Sequence, residues 1–122
     1  MEDTYKILIG MTEDTLEVVD ISDAHNIEMI GIEGNERMKW ESQADIDKFV
    51  EYIRDFYNID SFKDICMNVS IIYADTDMEY LHYLYLQFKE AFRVNVIQTE
   101  QILPFVSLSM GLFKDKKKSI CI

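Results

Sequence analysis

The chain has 122 residues, of which 48% are hydrophobic, so it can fill one core and is too short for a second independent one. Its 12 Lys and Arg stand against 23 Asp and Glu, a formal net charge of -11. Binding to a nucleic-acid backbone needs cations that replace counterions, so this balance speaks against a direct nucleic-acid partner.

Tyr5 to Gly10, Thr15 to Ile21 and Ile27 to Ile32 are short β-branched runs separated by polar turn residues. That pattern predicts three strands, and hairpin-length linkers predict an antiparallel meander. Arg37 to Trp40 reads as a short strand or loop. Ser42, with Asp45 three residues later, marks a helix start. Ile46, Phe49, Val50, Ile53 and Tyr57 then recur at helical spacing, and Asn58 ends the helix. Met67 to Tyr73 is an apolar run suited to a strand covered on both faces.

Thr76 and Glu79 predict a second capping box, followed by a helix whose inward stripe is Met78, Leu81, Leu84, Tyr85, Phe88 and Phe92. Val94 to Ile97 predicts another strand. Within Ile102 to Phe113, Val106 to Met110 alternates like a strand, while Ile102, Phe105, Val106, Leu112 and Phe113 fit a helix, which the length and the strand-helix alternation before it favour. Pro104, Ser107, Ser109 and Gly111 interrupt this segment, which is too short to span a bilayer. The expected architecture is α/β with a mixed sheet in the order β-β-β-α-β-α-β-α over residues 1–113. Residues 114–122 form a basic tail, where Lys114, Lys116, Lys117 and Lys118 offer a weak membrane contact and are read as solvated.

This order resembles the ribonuclease-H-like fold and one half of the actin-like ATPase fold. The resemblance covers most of Tyr5 to Phe113 and implies architecture more than activity. Actin-like ATPases carry a Gly- and Asp-bearing phosphate loop after the first strand, where this chain has Gly10-Met11-Thr12-Glu13-Asp14 and no Asp within the strand. Ribonuclease-H-like nucleases place carboxylates on the first strand, the first helix and the end of the fourth strand. Here Asp75 matches the last and Glu51 approximates the helical one, while the first strand is apolar. The same fold also serves as a noncatalytic module in bacterial secretion and pilus-assembly platforms.

Asp75, Asp77 and Glu79 follow a predicted buried strand, where open α/β sheets often bind ligands, and make weak candidates for a divalent metal. Helix capping accounts for them without a metal. His25, His82, Cys66 and Cys121 show no zinc-ligand spacing and no nucleophile motif, so no cofactor is expected. Two cysteines form no disulfide framework, and Glu2 and Asp3 stand where a signal peptide needs bases, so the expected location is the cytoplasm.

The second helix carries a further feature. With Leu81, Leu84, Tyr85 and Phe88 turned inward, Tyr80, Tyr83 and Leu86 fall on its other sides as a candidate partner-binding patch. Covering by this chain's own Arg37 to Trp40 segment or C-terminal helix is the alternative. The sequence therefore reads as a noncatalytic protein-protein interaction or assembly module that self-associates. Its rivals are an acidic inhibitor that imitates nucleic-acid charge, as a phage antagonist of host defence does, and a metal-dependent phosphoryl-transfer enzyme.

Overall fold

A computed structural model of the chain describes residues 4–23, 25, 28–30 and 38–100. The first two alternating runs form strands β1 (Thr4–Met11) and β2 (Thr15–Asp20), which pair antiparallel with Ile9 opposite Val18. Their turn is closed twice. The Thr12 N–H donates to the Thr15 carbonyl at 3.0 Å, and the Thr15 N–H donates to the Thr12 hydroxyl at 3.0 Å.

Of the third strand expected over Ile27 to Ile32, Glu28–Met29 is strand (β3), and residues 27, 31 and 32 lie outside the described residues; Met38–Lys39 (β4) pairs with the same neighbour. Met29 lies opposite Val19 and Met38 opposite Leu16, so the chain uses one edge of β2 twice. Residues 31–37 lie outside the described residues.

Helix α1 (Gln43–Phe56) starts at Ser42, and the Asp45 carboxylate accepts from the N–H groups of Glu41 and Ser42 at 2.9 and 3.3 Å. It stops where Asn58 turns left-handed, with φ of 52°, a conformation Asn tolerates better than most residues. A short 3-10 turn (Phe62–Asp64) leads into β5 (Cys66–Tyr73), followed by α2 (Met78–Lys89) and β6 (Val94–Gln98). The capping box expected at Thr76 and Glu79 is absent. Asp77 is the N-cap of α2 and accepts from the Glu79 N–H at 2.9 Å, because the Thr76 hydroxyl is drawn away to the Thr12 carbonyl at 3.1 Å.

The sheet order is β3-β2-β1-β5-β6, with β4 beside β3 on β2. β5 is parallel to both neighbours, as a crossover through α1 on one side and α2 on the other requires. Ile7, Ile9, Met11, Leu16, Val18, Met67, Val69 and Ile71 project from one face into a core shared with both helices. Ile46, Phe49, Val50 and Ile53 of α1 and Leu81, Leu84 and Phe88 of α2 complete it. Leu8, Val19 and Ile72, of opposite parity, are buried as well, so the middle of the sheet is covered on both faces. Among the described residues no helix is long and apolar enough to cross a membrane. The helix expected over Ile102 to Phe113 and the basic tail lie outside the described residues.

Candidate interaction surface

Residues in a helix advance about 100° each, so burying Leu81, Leu84 and Phe88 gives α2 two flanks and a crest. One flank leans on α1. There the Tyr83 hydroxyl donates to the Asp47 carboxylate, and Gln87 donates to the Tyr83 carbonyl at 3.1 Å. The bond to Asp47 holds the Tyr83 proton and raises its pKa above the ordinary tyrosine value. Tyr80 lies on the same flank, half-buried, with its ring centroid 5.0 Å from that of Trp40. Trp40 is itself buried and donates its indole N–H to the Thr12 carbonyl at 3.0 Å.

The opposite flank points along β6. It carries Met78, His82, Tyr85 and Lys89, with the Lys89 ammonium 5.7 Å from the Tyr85 ring centre and the His82 and Tyr85 rings 6.1 Å apart. Met78, read from the sequence as inward, is instead 59% exposed. It opens the helix, one residue after the Asp77 cap, and falls to the side of the buried stripe of Leu81, Leu84 and Phe88. Leu86 forms the crest at 43% exposed, and Val96 of β6 is 42% exposed.

Of the three patch residues read from the sequence, Leu86 is thus exposed. Tyr80 and Tyr83 are half-buried and occupied by Trp40 and Asp47. Val96 was missed because a five-residue β-branched strand reads alike at the centre or the edge of a sheet.

The carboxylates after β5 do not gather. Asp77 caps α2, Glu79 is exposed in the first turn, and exposed Asp75 takes a left-handed φ of 47° at the end of the strand. Among the described residues no group of three or more His, Cys, Asp or Glu could hold a metal. The Thr12 carbonyl, which accepts from both Trp40 and Thr76, ties the loops together at this end of the sheet.

A second residue escaped the sequence reading. Glu17, polar within a strand and so expected in water, is 2% exposed on the sheet face opposite the helices. It sits opposite Gly10, whose missing side chain leaves room there. Comparison with protein-family models and with curated proteins finds no match for the chain.

Proposed function

We propose that this chain is a noncatalytic protein-protein interaction module that self-associates, built on a ribonuclease-H-like or actin-like half-domain architecture. The observation that carries the reading is the placement of exposed apolar bulk. Met78, Leu86 and Val96 all lie on α2 and β6, while the remaining large exposed apolar residue among those described, Phe56, sits at the end of α1. Apolar side chains gathered at a surface favour association, since covering them removes them from water. Tyr85, with its ring half-buried between His82 and Lys89, adds a rigid amphipathic contact of the kind interfaces favour. A central β1, antiparallel to β2 and parallel to β5, supports the architecture.

Light scattering across a concentration series tests the reading. The native chain is expected to gain mass with concentration, and Leu86→Glu to lose that gain while melting as the native chain does. A chain that stays monomeric throughout overturns self-association. Metal-dependent phosphoryl transfer that disappears in Asp75→Ala overturns the noncatalytic assignment.

A further inference from the structure

The two edges of the sheet are unlike. β3 and β4 occupy the outer edge of β2, whereas among the described residues nothing pairs with the outer edge of β6. The direction of the β6 backbone groups follows from one bond. The Thr99 N–H donates to the Tyr73 carbonyl at 2.9 Å, and alternate residues of a strand turn their N–H and C=O to the same side. Asn95 and Ile97 therefore bond to β5, and the N–H and C=O groups of Val94, Val96 and Gln98 point outward.

Natural edge strands are protected by charge, proline, bulges or shortness. The sequence Val94-Asn95-Val96-Ile97-Gln98 has no charge and no proline, and it is as long as an average strand. Charges stand only at its ends, Arg93 before it and Glu100 after it. An antiparallel neighbour of the same sequence sets the Arg93 end of each strand beside the Glu100 end of the other. A parallel neighbour brings like charges together.

Resting on the reading of this chain as a self-associating module, the geometry points to its mode: β6 adds antiparallel to β6 of a second copy, about a two-fold axis through Val96. A two-fold axis normal to the sheet keeps every side chain on its own face, so residues facing each other share parity, and the centre falls on a residue. With Val96 at the centre, Val96 faces Val96 and Val94 faces Gln98, each pair exchanging both outward backbone bonds. The half-exposed Val96 side chains meet on the helix-bearing face, and the Met78 and Tyr85 flanks of the two α2 helices approach over them. Both copies present the same patch, as a closed dimer requires.

Amide exchange resolved by residue, run beside light scattering on the full chain, tests this. The expected result is mass doubling with concentration while the amides of Val94, Val96 and Gln98 become protected in step, those of Asn95, Ile97 and Thr99 being protected throughout. Val96→Pro removes an outward donor and leaves the bonds to β5 in place. Val96→Lys keeps the backbone and sets two ammonium groups face to face. Each should weaken association about tenfold or more without lowering the melting temperature of the monomer.

Protection of Val94, Val96 and Gln98 at every concentration would mean that other residues of this chain occupy the edge, and it overturns the inference. Doubling of mass that spares these amides, or that Leu86→Glu abolishes and Val96→Lys does not, overturns strand addition and leaves self-association standing. A monomer at all concentrations overturns both.

Discussion

β5 and β6 are neighbours with similar sequences and opposite fates. In their parallel register Val69 faces Val94 and Ile71 faces Val96, β-branched residues side by side on the face that carries the helices. Ile71 is fully buried while Val96 is 42% exposed. The side chains scarcely differ in kind; what differs is the company. Ile71 has a strand on each side and helices above, whereas among the described residues Val96 has strand on one side only and lies beside the outer flank of α2. Burial therefore depends on what surrounds a position. The same holds across α2, where Tyr80 and Tyr83 are taken up by Trp40 and Asp47 and Met78 and Leu86 are left in water.

The sharpest way to break this contrast is to place the same charge in both strands. Ile71→Asp is expected to abolish folding, at a cost above about 5 kcal/mol, because a carboxylate there has neither water nor a partner. A cooperative thermal melt of that variant would show that β5 is not the covered strand described. Trp40→Ala should come next, costing about 3 to 5 kcal/mol in chemical denaturation. It removes a buried indole, strips the cover from Tyr80, and leaves the Thr12 carbonyl one donor fewer.

Tyr57 stands between the two extremes, half-buried at the end of α1 with its hydroxyl donating to the Asp20 carboxylate at 2.5 Å. Tyr57→Phe should cost about 1 to 2 kcal/mol near neutral pH, the range of a partly solvated bond to a charged acceptor. Burial first, and Asp20 second, push the Tyr57 pKa far above its ordinary value. A raised pKa means that the folded chain holds the proton more tightly than the unfolded one. The contribution is whole below about pH 10, the value in an unfolded chain, and is lost as pH rises above it. Melting curves from about pH 9 to about pH 11 should show the gap between native chain and variant closing. A gap that widens would contradict the assigned bond. The smallest effect belongs to the surface: Val96→Asp, the counterpart of Ile71→Asp one strand further out, should change monomer stability by less than about 0.5 kcal/mol. A large loss would mean that Val96 is covered within the single chain.

Local order was legible along the chain wherever one element's own residues set its state. The hairpin of β1 and β2, the Ser42 and Asp45 start of α1, its stop at Asn58, and β5 as a strand covered on both faces follow from periodicity and capping chemistry, which act within a few residues. Short-range signals misled where a distant group claimed a residue. The Thr76 hydroxyl bonds the distant Thr12 carbonyl and leaves the cap to Asp77. Tertiary structure alone decided that Trp40 meets Tyr80, that Asp47 takes the Tyr83 hydroxyl, that Glu17 is buried, and that β6 lies outermost among the described strands. The physical reason is that each depends on which surfaces the folded chain brings together, and a residue's sequence neighbours carry no information about a partner that lies 40 positions away, as Tyr80 does from Trp40, or 36, as Asp47 does from Tyr83.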